Sequence, residues 1–191
     1  MHRSLVLLLV LLAGAPLASA QRMVGSAVGR WAIQFPSGLS TQGEQPMRIP
    51  TQIGEVVMHM TMAQDSGGSR MMMVAWCDYP ATVFENGGSR EEEIGRMFDS
   101  AREGGLRNIQ NARLLSEEKI DLDGLPGRSI RFVGTMQEQP VYARFDYYID
   151  VPRLYQVGYI AMEEASVGSG DVRRSFTSFT VTPQSSGGSG Q

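Results

Sequence analysis

The sequence holds few of the side chains on which enzymes most often rely. Of 191 residues, one is cysteine (Cys77), two are histidine (His2 and His59) and one is lysine (Lys119). A single cysteine excludes an internal disulfide framework and a cysteine-based structural zinc site. With so little histidine, a Ser-His-Asp or Cys-His arrangement has to draw on His59, and no G-x-S-x-G turn surrounds any serine. The glycine pairs at 67–68, 87–88 and 104–105 lack the lysine of a phosphate-binding loop. Charge of one sign is also scarce: 17 basic residues against 20 acidic ones give a net charge of −3. Arginine is scattered from Arg3 to Arg174 and forms no basic stripe of the kind nucleic acid requires.

The one long apolar run stands at the amino terminus. Leu5 to Leu12 follows His2 and Arg3 and leads to Ala18-Ser19-Ala20, which together make the charged, apolar and small-residue regions of a secretory signal peptide. The run is shorter than the roughly 20 apolar residues that span a bilayer, and Gln21 stands where a lipoprotein would need cysteine. The expected product is soluble, periplasmic or secreted, and has no transmembrane span. Residues 1–20 are then the signal peptide, 21–29 a flexible lead-in, 30–183 a single domain and 184–191 a disordered Ser/Gly tail. In an oxidising compartment a lone thiol is either buried or paired between chains; Cys77 lies in an apolar strand pattern, which favours burial.

Trp31, Ile33 and Phe35 alternate with polar or small residues and stop at Pro36, predicting a first strand. Met47 to Ile49 reads as a short second one. The runs 53–63 and 70–78 flank a glycine-containing loop and form a hairpin; a register centred between Gly67 and Gly68 puts Met73 and Cys77 beside Met58, Met60 and Met62. Ser89 with Glu92 is a capping box, Ile94, Met97, Phe98 and Ala101 form one stripe, and Gly104-Gly105 is expected to end that helix. Strand patterns return at 113–122 and 128–136 across an Asp123-Gly124 turn. From 141 to 162 the pattern is strongest: Val141, Ala143, Phe145, Tyr147 and Ile149 share one face and Tyr142, Arg144, Asp146 and Tyr148 the other. Pairing about Pro152 sets Tyr147 opposite Val157 and Phe145 opposite Tyr159. Val172, Phe176 and Phe179 have helical spacing behind Ser169. One long helix, one short helix and six or seven mostly antiparallel strands describe an α+β fold, an α/β/α sandwich around the sheet.

The series Phe35-Pro36, Gly54-Glu55-Val56, Asp78-Tyr79-Pro80, the capped helix, Leu125-Pro126-Gly127-Arg128, Arg153-Leu154-Tyr155-Gln156-Val157, Asp171-Val172 and Ser178-Phe179 resembles secreted bacterial proteins of the PsbP-like type. That fold is shared with the photosystem oxygen-evolving subunit and the Mog-type adaptors of nuclear transport, and the resemblance covers about Trp31 to Val181. It implies an α/β/α sandwich that binds other proteins and does not catalyse. Photosystem members have metal-associated positions, but no histidine or carboxylate here aligns with them, and none is carried over.

Two clusters are candidate sites. Met58, Met60, Met62, Met73 and Cys77 bring soft sulfur ligands to one hairpin face, a donor set that selects Cu(I); His59 projects to the other face. Methionine is also the adaptable filler of irregular cores and of partner-binding surfaces. Tyr142, Arg144, Asp146 and Tyr148 are candidates for partner binding, since tyrosine and arginine are enriched in interfaces; the alternative is a polar ladder beneath the terminal helix. No cofactor and no catalytic residue is expected. The functional expectation is an exported, non-enzymatic domain that binds a protein partner in the cell envelope, with soft-metal binding at the methionine hairpin as the alternative. Amino-terminal sequencing of the protein recovered from its native host should begin at Gln21; a start at Met1 would remove the export assignment.

Overall fold

The computed structural model describes residues 22–51, 54–84, 89–107 and 109–182. The segments expected as signal peptide and carboxy-terminal tail, the first residue of the 53–63 run and the glycine pair at 87–88 lie outside them. Among the described residues eleven strands and three α-helices follow one another: β1 (Met23–Ser26), β2 (Trp31–Gln34), β3 (Ser40–Thr41), β4 (Gln45–Thr51), β5 (Gly54–Gln64), β6 (Arg70–Asp78), α1 (Arg90–Leu106), β7 (Gln110–Leu122), β8 (Leu125–Met136), β9 (Gln139–Asp150), β10 (Arg153–Ala161), α2 (Glu164–Val167), α3 (Gly170–Thr177) and β11 (Thr180–Val181). A single turn of 3-10 helix spans Ala81–Phe84.

Eight strands form one antiparallel sheet in the order β3-β5-β6-β10-β9-β8-β7, with β4 also paired to β5. A three-stranded sheet, β1-β2-β11, packs with α2 and α3 on one face of it. There Trp31, Ile33 and Phe35 meet Met72, Val74, Tyr155, Val157, Val172, Phe176 and Phe179. The opposite face carries α1, whose Met97 and Phe98 meet Ile130, Phe132, Phe145, Tyr147 and Leu154. The architecture is therefore the expected α+β sandwich, with eight strands in the large sheet rather than six or seven and with a small sheet sharing its second outer layer.

Local chemistry sets these elements as the sequence predicts at several points. Ser89 accepts from the Glu92 backbone and the Glu92 side chain accepts from the Ser89 backbone, completing the capping box. Asp123 and Gly124 both take positive φ in the two-residue β7–β8 turn. The β5–β6 ladder runs His59↔Trp76, Met60↔Ala75 and Met62↔Met73, the register centred between Gly67 and Gly68. Asp65 closes that turn: its carboxylate accepts from Ser69 Oγ at 2.6 Å and from the Arg70 backbone at 3.1 Å. The Ser69 hydrogen bond leads the effects that pull its pKa down to about 2.

Other expectations are corrected. β9 and β10 pair one residue away from the expected register, with Tyr147 opposite Gln156 and Val157 opposite Asp146. The turn consists of Val151 and Pro152 together, joined by a cis bond, and is not centred on Pro152. Because side chains alternate, the one-residue shift moves Val157 and Tyr159 to the face opposite Tyr147. α1 does not stop at Gly104-Gly105 but runs to Leu106. A side chain at 105 would begin 2.9 Å from the Tyr147 hydroxyl, so that glycine serves close approach of helix to sheet. Residues 23–26, expected in a flexible lead-in, form β1 against β2, and Val24 packs on the core.

Beneath α1 the packing leaves no spare volume at Gly158. A Cβ there would stand 2.3 Å from Phe145 Cε1 and 3.1 Å from Met73 Cγ. Gly158→Ala should lower stability by about 1–3 kcal/mol through overpacking, read from urea unfolding midpoints. In a Phe145→Leu background the same substitution should cost less; an equal cost would show that the ring is not what Gly158 accommodates.

Candidate functional site

The two residue sets singled out by sequence lie on opposite faces of the large sheet. On the α1 face, strand alternation carries Met58, Met60 and Met62 from β5 and Met73 from β6, and all four are half-buried. Cys77 shares this face, but it is 2% exposed and packed in the core, where burial pushes its thiol up to about 12. A neutral, enclosed thiol is a poor nucleophile. His59 projects to the other face, stacked on Trp76 with ring centroids 4.1 Å apart. Its Nδ1 lies 3.5 Å from Glu44 Oε1, and Trp76 Nε1 donates to Glu44 Oε2 at 3.1 Å. The Arg153 guanidinium also stands 4.1 Å over the Trp76 ring and is held by two hydrogen bonds to Asp78. The only histidine among the described residues is thus engaged in a stacked column. No three His, Cys, Asp or Glu side chains among the described residues converge as they would around a metal ion.

The set Tyr142, Arg144, Asp146 and Tyr148 lies on the face beneath the small sheet and the terminal helices. Asp146 is 1% exposed and accepts from Ser129 Oγ at 2.6 Å and from Arg144 at 3.0 and 2.7 Å. Arg144 in turn places its guanidinium 4.1 Å over the Phe176 ring of α3. Tyr148 is 6% exposed and stacks on Phe179. These three therefore form a ladder that ties α3 to the sheet, the bidentate Arg144–Asp146 pair satisfying a charge that burial would otherwise penalise. Tyr142, by contrast, is half-buried and opens on solvent.

Tyr142 lines a cleft of about 240 Å³ with Leu115, Arg131, Glu164, Val167 and Gly168, between α2 and the β7 edge. Arg131 was not among the residues found by sequence. It sits directly across from Arg144 in the β8–β9 ladder, is exposed, and has no ion pair among the described residues. Like charges directly opposite on one sheet face oppose each other. The sequence holds no local signal for this pair: Gln137 and Glu138 form the two-residue β8–β9 turn, both at positive φ, without the Asn or Gly that usually marks such a turn. Beside the cleft, β7 is the outermost strand and carries a register shift between Leu114 and Ser116, which leaves Leu114 and Leu115 41% and 44% exposed.

No family model and no curated protein matches the sequence. Among solved structures, the chain is similar to the solution structure of cyanobacterial PsbP (CyanoP) from Synechocystis sp. PCC 6803, with 13% identity, a TM-score of 0.54, and coverage of 86% of this chain and 94% of that one. A crystal structure of a protein of unknown function, PA94 from Pseudomonas aeruginosa, aligns at 9% identity and a TM-score of 0.40 over 78% of this chain and 86% of that one, too distant to bear on fold or function. The fold is PsbP-like.

If Arg144 and Asp146 act as a ladder, removing one partner strands the other. Arg144→Leu should destabilise the chain by about 3 kcal/mol, and pairing it with Asp146→Leu should recover a large part of that loss. Thermal and urea unfolding of the two single variants and the double variant read this directly; additive losses would rule out the coupled pair.

Proposed function

Taking the PsbP-like fold as given, we propose that the protein is an exported, non-enzymatic domain that binds a protein partner, and that the partner docks at the cleft between α2 and β7. The observation that carries this reading is Arg131, a cation set opposite Arg144 with no carboxylate of its own among the described residues. Asp146 already takes up the charge of Arg144, so the charge left over is that of Arg131, and a carboxylate supplied from outside would pair it. Glu164 lines the same cleft without closing an ion pair with Arg131. Tyr142 and Val167 flank the cation, and Leu114 and Leu115 extend an apolar margin along the sheet edge. Aromatic and arginine anchors beside aliphatic surface are the composition of interface hot spots. The partner segment that fits places an acidic side chain next to an apolar one.

The non-enzymatic part rests on the state of the candidate nucleophile and base. Cys77 is enclosed and protonated, and His59 is stacked on Trp76 beside Glu44. Export rests on the leader at Leu5–Leu12 and Ala18-Ser19-Ala20, and no helix among the described residues is long and apolar enough to cross a membrane.

A photo-crosslinking residue placed at Leu115 should capture one defined envelope protein in the native host. Arg131→Glu should reduce that yield at least tenfold, since a charge reversal at the centre of an interface converts attraction into repulsion. The same crosslinker at the exposed Arg173 of α3 should give no such product. Equal capture from position 173, or capture indifferent to Arg131→Glu, would place the interface elsewhere.

A further inference from the structure

The thioethers of the α1 face spread over too wide an area to meet on one ion. Met60 stands opposite Ala75 and Met71 opposite Gln64, about 14 Å apart along the ladder, and the Phe145 ring fills the space over Gly158 beside Met73. A different margin of the molecule is built to bind. A cleft of about 470 Å³ opens between the two sheets, lined by residues 22–26, residues 41–44 and Thr61. A strand that presented one face would contribute every second residue; five consecutive residues line the cleft because β1, the outer strand of the small sheet, turns its free edge to it. The phase of that edge is fixed by its neighbours. The Arg22 carbonyl accepts from the Phe35 amide, and on the far side of β2 the Arg30 carbonyl accepts from the Thr182 amide. Odd-numbered residues of β2 therefore bond towards β1 and even-numbered ones towards β11. Met23 and Gly25, which stand opposite Gln34 and Ala32, turn their N–H and C=O groups away from β2, on the side of the cleft.

The chain blunts its other long edges: β4 carries Pro46 and Pro50, which have no N–H to offer, and β7 carries a register shift. β1 has neither proline nor charge. Thr61 is 5% exposed, and its hydroxyl makes no hydrogen bond among the described residues. The Glu44 carboxylate touches only His59 and the Trp76 indole and meets no Arg or Lys among those residues; Arg22 meets no carboxylate. The two charges mark opposite ends of β1. A Cβ at Gly29, whose amide donates to Ser26 Oγ, would stand 2.7 Å from Trp76 Nε1, the donor to Glu44, so Glu44 lies by the Ser26 end and Arg22 begins the strand.

We propose that this cleft binds an extended segment of a partner protein, which adds as a strand to β1 and sets a basic side chain against Glu44. Main-chain pairing with Met23 and Gly25 supplies affinity, and Glu44 supplies selection; Arg22 takes an acidic side chain about four residues away. Residues 183–191 of this chain hold no cation for Glu44. A second copy meets a steric obstacle: β3 and β4 lie outside β5, so the large sheet forms a ledge past β1, and two ledges collide before two β1 edges meet, whereas one extended segment lies on a single ledge.

The probe is a panel of peptides of about six residues, the usual strand length, in which threonine alternates with valine and one arginine occupies successive positions. Added to the purified chain, at least one should bind and slow hydrogen exchange of the Met23 and Gly25 amides at least tenfold, while the Val24 amide, already bonded to β2, keeps its rate. Glu44→Gln, which retains an acceptor for Trp76, should weaken that peptide about tenfold, as should glutamate in place of its arginine; Arg131→Glu should leave its affinity within twofold. A panel without a binder, binding that leaves both amides exchanging freely, or an affinity indifferent to Glu44→Gln would overturn the site. Protection of the same amides by raised protein concentration alone would also overturn it, making a second copy the occupant. None of these results bears on crosslinking from Leu115.

Discussion

The contact on which the rest of the structure depends is the pairing of β10 with β6. The amino-terminal strands β3–β6 pair only among themselves, as do the strands of the meander β7–β10, until the β6–β10 ladder joins them into one sheet. Its end is fixed by Arg153, which stands opposite Asp78, binds both of its carboxylate oxygens at 2.6 and 2.7 Å and stacks over Trp76. A fork of two charge-assisted hydrogen bonds holds direction as well as distance. That matters because a slip of one residue would exchange the faces of every side chain on β10. Tyr155, Val157 and Tyr159 lie under the small sheet, and Leu154 and Ile160 lie under α1. Two different cores are therefore tied to one register.

What the sequence could reveal follows from which constraints are local. The β5–β6 register, the capping box and the Asp123-Gly124 turn are each decided by a few adjacent residues, and each stands where the residues indicate. The β9–β10 register failed by one because a proline marks a turn without marking its centre. Gly104-Gly105 misled for a different reason: glycine is a helix terminator by propensity, yet Gly105 is demanded by the Tyr147 hydroxyl, a tertiary neighbour that no local pattern contains. β1, β3 and β11 are four, two and two residues long, too short to display a period.

The candidate sites divide along the same line. Alternation correctly places Tyr142, Arg144, Asp146 and Tyr148 on one face, but alternation cannot say that α3 closes over three of them. The Arg144–Phe176 contact is a long-range one, and it turns what composition presents as a binding surface into a buried ladder with one accessible end. Arg131 escaped notice because an arginine in a strand carries no signal alone; its meaning comes from the arginine across the ladder. The methionines were visible because their number and spacing are unusual in themselves.

Width is the quantity that decides where the sheet is left open. A sheet in which seven strands lie side by side spans roughly 30 Å, and a single helix of 10–12 Å diameter cannot cover one face of it. On the opposite face, the small sheet and two short helices leave one cleft where α2 ends short of β7 and another between β1 and the 41–44 segment beside Thr61. Margins of this kind are ordinarily closed with charge, as Arg102, Glu117, Arg128 and Asp99 do on one flank of α1. Closing the other flank with thioethers exposes apolar surface where an ion-pair network of similar reach would have served. The fold requires that such margins exist, but it does not require that one of them set Arg131 across from Arg144. That choice is one for which binding to something outside the chain supplies a physical reason, because Arg131 has no ion pair among the described residues.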